Sequence, residues 1–174
     1  MGFDTAESKI ENAAQAVLLL KNELATAILD AIKEQNISLV KAEEITGKKS
    51  SNLARLLNFK FENKHKVDLL YDILLKLDDS YLLVLRPEVE TIWKNGASAI
   101  DDFKLILASA VSLEMDRRGL SLREAAKFIG MTGHTGLNLI KNGSIEGAKL
   151  DSIYNILLRL NPIYKITLKR KKGS

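Results

Sequence analysis

A short polar segment, KKSSNLAR at 48–55, concentrates side chains whose chemistry suits contact with a nucleic acid. Lysine and serine can contact phosphates, asparagine can pair with the edge of adenine, and arginine can do the same with guanine. A solvated, cationic helix start is the alternative interpretation, because exposed lysines are common on soluble proteins. The candidate contact residues of this segment are Lys48, Lys49, Ser50, Ser51, Asn52 and Arg55.

The rest of the residue inventory offers little for catalysis or metal binding. The chain has no cysteine, which excludes disulfides, thiol catalysis and cysteine-type zinc sites. Of its two histidines, His134 has no partner ligands near it in the sequence, and His65 stands between Lys64 and Lys66, where a phosphate contact or simple solvation explains it. Two pairs of adjacent carboxylates, at 78–79 and 101–102, fall at predicted helix boundaries, where capping explains them. We therefore expect a protein that is not an enzyme and uses no metal or cofactor.

Composition favours a helical protein outside the membrane. Only 6% of the 174 residues are aromatic and two are proline, while Ala, Leu, Ile, Lys and Glu dominate. The formal charge of +4 permits a polyanionic partner without demanding one. The chain has no apolar run of roughly 20 residues and begins with a polar, acidic segment. We expect a cytoplasmic protein.

A tandem repeat with an offset of 83 residues organises the chain. The segment VDLLYDILLKL at 67–77 aligns without a gap on LDSIYNILLRL at 150–160, and Leu56 aligns on Leu139. We infer two domains, 1–86 and 87–174. Their formal charges are −1 and +5, and the basic tail at 169–172 accounts for most of the excess. That tail is interpreted either as a solvated end or as an arm that touches phosphates.

Each repeat predicts four or five helices and one short closing strand. Apolar residues three and four apart predict one long helix over 5–35, or two helices with a joint near 21–22. In the second copy a break is expected near 95–96, with 101–102 capping the next helix. Later helices are expected at 48–59 and 66–77, and at 132–142 and 149–160, before strands at 80–87 and 163–170.

The order of these elements resembles a known family. A serine-capped short helix, a turn glycine, a second short helix, a loop and a leucine-rich helix occur twice, and RGLSLREAAKFIG at 118–130 shows the pattern most clearly. This resembles the XRE (Cro/C1-type) helix-turn-helix family, and the closing strand resembles its HigA-type antitoxin subgroup. The resemblance covers about 23–86 and 107–169, and it implies two tandem lambda-repressor-like domains.

In such a motif the second helix enters the major groove of DNA and its first residues meet base edges. The 48–55 segment occupies that place in copy one, and Lys60 lies in the loop after it. In copy two, Gly133 and Gly136 leave two alternatives open: the backbone approaches DNA closely, or this copy has lost base reading. Its candidate contact residues are Arg123, Thr132, His134, Thr135, Asn138 and Lys141.

The two closing strands predict how the repeats are joined. A lone strand is unstable, so we expect the strands to pair antiparallel and form an internal pseudo-dimer. If the two recognition helices lay about 34 Å apart, one chain would span two half-sites of a pseudo-palindromic or asymmetric site.

Two functions remain open at this point. The first is a sequence-specific DNA-binding transcriptional regulator of the repressor or antitoxin type, whose partner is double-stranded DNA. The alternative is a protein-interaction module, an antitoxin, antirepressor or anti-activator that binds a toxin or another regulator.

Overall fold

The computed structural model describes residues 6–57, 65–91 and 96–171. The described part of the chain is mainly helical, with 64% of it in helix and one small two-stranded antiparallel sheet. The described elements are α1 (Ala6–Glu34), α2 (Leu39–Thr46), α3 (Ser50–Leu57), α4 (Val67–Leu77), β1 (Tyr81–Arg86), α5 (Ala99–Arg117), α6 (Leu122–Phe128), α7 (Thr135–Lys141), α8 (Leu150–Leu160) and β2 (Lys165–Arg170). The described part of each repeat therefore holds four helices and one strand.

The first repeat begins with a single long helix. The expected alternative of two helices with a joint near 21–22 is wrong, because α1 runs unbroken through that point. Helix α1 ends before Asn36, which adopts the left-handed conformation with φ 50°. The Oγ of Ser38 then caps α2 by accepting a hydrogen bond from the Lys41 amide at 3.2 Å.

The second repeat begins its first described helix three residues earlier than expected. The N-cap of α5 is Ser98, whose Oγ accepts from the Asp101 amide at 3.2 Å. The expected cap at 101–102 is therefore wrong: both carboxylates lie in the first turn, where they face the positive end of the helix dipole. The next cap is as expected, since Ser121 and Glu124 form a reciprocal capping box at the start of α6.

The two closing strands pair with each other. Strands β1 and β2 form the antiparallel sheet, each six residues long. Just beyond their ends, the amide of Lys171 donates to the carbonyl of Ser80 at 2.7 Å. Alternate backbone groups of each strand therefore find partners on the other, as the expectation that an unpaired strand is unstable requires.

The chain divides into two compact units whose limits differ from those of the repeats. One unit holds the beginning of the chain up to Val17 together with Leu85–Thr167, and the other holds Leu18–Val84 and Leu168–Ser174. We name them the 85–167 unit and the 18–84 unit. Helix α5 packs against α7 and α8 in the first, and α2 packs against α3 and α4 in the second.

The net charge is distributed differently between the two units than between the two sequence repeats. The 18–84 unit carries 14 Lys/Arg and 10 Asp/Glu, whereas the 85–167 unit carries 12 of each. The formal charge of +4 thus belongs entirely to the unit that contains α3, because the basic C-terminal tail is counted with that unit. Divided by sequence repeat instead, the excess positive charge falls on the second copy, 87–174.

Long apolar stretches are absent from the described helices. None of them combines the length and the hydrophobicity that crossing a bilayer requires.

Candidate nucleic-acid interface

Helices α2 and α3 of the 18–84 unit form a tight helix–turn–helix pair. Gly47 ends α2 with φ 68°, a left-handed conformation that favours glycine, and its amide donates to the Glu43 carbonyl at 2.8 Å. Helix α3 follows three residues later. Its inner face is closed by Leu53 and Leu56, which are 0% and 2% exposed. Burial of these two leucines fixes which face of α3 remains outside.

The outer face of α3 is polar and positively charged. The side chains of Lys49, Ser51, Asn52 and Arg55 are all exposed. None of these four takes part in a side-chain hydrogen bond or ion pair among those resolved in the described residues. They could donate to phosphate oxygens and to base edges. Lys48 and Ser50 are only half-exposed, and Lys60 lies outside the described residues.

A carboxylate from α2 holds the start of α3. The Oε2 of Glu43 accepts a hydrogen bond from the Ser50 amide at 2.7 Å. Hydrogen bonds from the Ser50 backbone and hydroxyl lower the pKa of Glu43, and the charge of Lys49 lowers it further. The bond satisfies one free amide of the first turn, so it sets the direction in which α3 leaves the turn. Glu43 is not among the residues that the sequence pattern predicts for the site, although a Glu seven residues before a helix start is visible in the sequence.

The 85–167 unit contains the equivalent pair, α6 and α7. Gly130 has φ 74° in the turn, and a longer connection leads to α7. Thr132, His134 and Thr135 are exposed. An open hollow of about 430 Å³ lies at this turn and is lined by Gly130, Met131, Thr132, Gly133, Thr135 and Gly136.

The repeat offset changes by one residue in this helix. Leu137 and Ile140 close the inner face of α7 as Leu53 and Leu56 close that of α3, which is an offset of 84 and not 83. The alignment of Leu56 on Leu139 is therefore wrong, because Leu139 is 49% exposed. The longer turn after Gly130 supplies the extra residue. Leu139 occupies the position that Arg55 holds on α3.

Two of the residues expected to contact DNA in copy two are already bonded to other side chains of the same unit. The Oδ1 of Asn138 accepts from the Asn142 side-chain amide at 3.1 Å, and Lys141 forms an ion pair with Asp116 at 3.0 Å. Arg123 is exposed on α6. The outer face of α7 consequently presents uncharged side chains, in contrast to that of α3.

The basic C-terminal tail is bound to the 18–84 unit. The guanidinium of Arg170 forms ion pairs with Glu34 and, at 3.3 Å, with Asp78, and it stacks over the ring of Tyr81 at 4.7 Å from the centroid. The Nζ of Lys171 donates to the Asp79 carbonyl at 3.1 Å. Both residues remain exposed while they make these contacts. Lys169 remains exposed, and the position of Lys172 lies outside the described residues.

Comparison with models of protein families, with curated proteins and with solved structures finds no match. Among the residues that the structure describes, no three His, Asp or Glu side chains gather in a way that could hold a metal ion.

Proposed function

We propose that this protein is a sequence-specific DNA-binding regulator of the XRE helix-turn-helix type, and that α3 is its recognition helix. The observation that carries the proposal is the outer face of α3, where Lys49, Ser51, Asn52 and Arg55 stand exposed after a glycine turn. A major groove about 12 Å wide admits one such helix. The formal charge of +4 on the same unit supports the assignment.

The exposed residues of α3 have different roles because their side chains differ in chemistry. Lys49 and Ser51, at the start of α3, contact phosphates and so set the position of the helix on the duplex. Asn52 and Arg55, one turn further in, read adenine and guanine through paired hydrogen bonds. Bound over a promoter, the protein blocks transcription by occupying the groove. This role requires no cofactor and places the protein in the cytoplasm, where its DNA target is.

We infer further that the sheet makes the chain an internal pseudo-dimer of two tandem helix-turn-helix domains. The support is that each strand is the last element of its repeat and that the two strands run antiparallel, as a two-fold relation requires. The bond between Lys171 and Ser80 places Val84 opposite Thr167, and these two residues are 83 apart in sequence. If each residue is replaced by its equivalent 83 positions away in the other repeat, the pairing of the two strands therefore stays the same. If α3 and α7 lay about 34 Å apart, a chain so arranged would present them to successive turns of one duplex.

The test is fluorescence anisotropy with the DNA upstream of the gene and with random duplex, over a series of salt concentrations. We expect tighter binding to the upstream DNA and a linear fall of log K with log salt, whose slope counts the phosphates contacted. Arg55→Ala should weaken specific binding by about 1–3 kcal/mol and leave random duplex binding nearly unchanged.

The matched control is Lys76→Ala, which removes one positive charge from α4 of the same unit, where Lys76 is paired with Asp72. Its affinity for both duplexes should be close to that of the unchanged protein, with a small and equal decrease for each because one positive charge is removed. Equal binding of both duplexes by the unchanged protein, or no binding at modest salt, would reject the proposal.

A second function, the protein-interaction module, is favoured by one observation. Leu18 and Leu19 are adjacent on α1 and are 38% and 59% exposed. Leucines that remain this exposed on a helix suit a toxin or regulator protein with an apolar surface of its own. Co-purification of such a partner from the native host, lost in a Leu19→Glu variant, would favour this function over DNA binding.

A further inference from the structure

The two units differ in the side chain that stands at the base-reading position of their helix pairs. We propose that Leu139 is a specificity residue that reads the methyl group of a thymine, so that the chain recognises one half-site through guanine and the other through thymine. This inference rests on the proposed function and specifies its target.

The position of Leu139 follows from burial. Leu53 and Leu56 are buried on the inner face of α3, and Leu137 and Ile140 are buried on the inner face of α7. When these two pairs are matched, Arg55 and Leu139 occupy the same outward position on their helices. A leucine that closes a core is almost fully buried, whereas Leu139 is half-exposed.

The surroundings of Leu139 allow a close approach. Three residues before it, Gly136 occupies the place of Asn52, and Gly133 lies in the preceding turn. A Cβ built on either glycine would meet no atom within 4 Å, so neither glycine is required by crowding inside the protein. With no side chain at either position, the backbone of α7 can lie nearer to a base edge than that of α3 can, and a leucine is shorter than an arginine.

Other side chains of α7 are poorly placed to read a base. Asn138 is half-buried and bonded to Asn142, and Lys141 is half-buried and paired with Asp116. Thr135 is exposed at the start of the helix, the place of Ser51, where contact with phosphate is expected. Within α7, beyond its first residue, Leu139 is therefore the exposed side chain that remains for the base edges.

An apolar side chain has one specific partner in the major groove. Among the four bases only thymine presents a methyl group there, at C5. Contact between this methyl group and a leucine buries apolar surface on both sides, and the other bases offer a polar group or a bare carbon edge instead.

The experiment starts from a duplex library with a random core, because the target sequence is not assumed. The unchanged protein, Arg55→Ala and Leu139→Ala each select bound duplexes from the library at equal salt. We expect the unchanged protein to select a guanine in one half-site and a thymine in the other. Arg55→Ala should lose the guanine preference alone, and Leu139→Ala the thymine preference alone.

The decisive step replaces that thymine by uracil, which removes only the methyl group. The affinity of the unchanged protein should fall about fourfold, the factor that one methyl-sized apolar contact contributes. The affinity of Leu139→Ala should be the same for both duplexes. Ile163→Ala is the matched control, since Ile163 is an exposed apolar residue of the same unit outside α7, and it should respond to uracil like the unchanged protein.

Two results would overturn the inference, and they differ in what they leave standing. Equal binding of the thymine and uracil duplexes by the unchanged protein, while Arg55→Ala still loses its guanine, rejects the role of Leu139 and keeps the proposed function. Failure of the unchanged protein to enrich any duplex rejects both. Unfolding curves of Leu139→Ala that match those of the unchanged protein exclude misfolding as the cause of a lost preference.

Discussion

The hydroxyl of Tyr71 accepts a hydrogen bond from the backbone amide of Leu83 at 3.3 Å. The same bond recurs 83 residues later, where Tyr154 accepts from Ile166 at 3.3 Å. The register set by Lys171 and Ser80 turns both amides away from the partner strand. Each tyrosine is 3% exposed and therefore closes the outer edge of its strand from inside its own unit.

Removal of either hydroxyl should leave one buried amide without a partner. We expect Tyr71→Phe and Tyr154→Phe each to lower the free energy of unfolding by about 1 kcal/mol, the usual contribution of one hydrogen bond. Hydrogen exchange measured by NMR should show faster exchange of Leu83 in the first variant and of Ile166 in the second. Each variant is the control for the other, and unchanged exchange at both amides would contradict the role of the hydroxyls.

The ion pairs of Arg170 should make the attachment of the tail sensitive to salt. Glu34 and Asp78 both contact this exposed guanidinium, and exposed ion pairs weaken as ionic strength rises. We expect Arg170→Ala to be less stable than the unchanged protein in urea at low salt, with the difference shrinking at high salt. Lys169→Ala is the control, as Lys169 is exposed beside it. A difference that is independent of salt would mean that the stacking on Tyr81 dominates.

The bond from Ser50 to Glu43 should give the start of α3 a dependence on pH. Hydrogen bonds from Ser50 lower the pKa of Glu43, so the ionised carboxylate is favoured in the folded chain. Its contribution is present above the ordinary value of 4.5 and is lost as the pH falls through the lowered pKa. Glu43→Gln should therefore be less stable than the unchanged protein at neutral pH, and the two should converge in acid.

The control for that variant is Glu44→Gln, because Glu44 is exposed and paired with Lys41 on the same helix. Its unfolding curve should stay close to that of the unchanged protein at all pH values. If Glu43→Gln and Glu44→Gln behaved alike, the cap on α3 would have no energetic role.

The proposed pseudo-dimer predicts a distance between helices α3 and α7. Since the chain has no cysteine, Ser51→Cys and Thr135→Cys together introduce two defined spin-label sites, both exposed and at equivalent places on their helices. Electron double resonance should give a distance distribution centred on about 34 Å, one turn of DNA. A narrow distribution far from this value would reject the idea that one chain spans two half-sites.

Local structure was predictable because its causes are local. The caps at Ser38 and Ser121 and the left-handed Gly47 depend on residues within one or two turns of each other. The leucine-rich helices and the closing strands likewise followed from periodicity. The cap of α5 was misplaced because two carboxylates compete with Ser98 as a signal, and serine takes the position by bonding the Asp101 amide.

The candidate site was only partly predictable for the opposite reason. Which leucine of α7 closes the core depends on packing against α5 and α6, and an extra residue in the turn shifts that choice by one position. An ungapped repeat does not reveal this shift. Lys141 looked available in the sequence because its partner, Asp116, lies 25 residues away on another helix.

The amino-acid sequence by itself determined the tandem repeat, the order of its helices and strands, and the polar segment that forms the outer face of α3. Only the tertiary structure decided that the basic tail joins the 18–84 unit, that Glu43 holds the start of α3, and that Leu139 takes the place of Arg55. The physical reason is range: caps and periodic faces depend on neighbouring residues, whereas burial and ion pairing depend on groups that only the folded chain brings together.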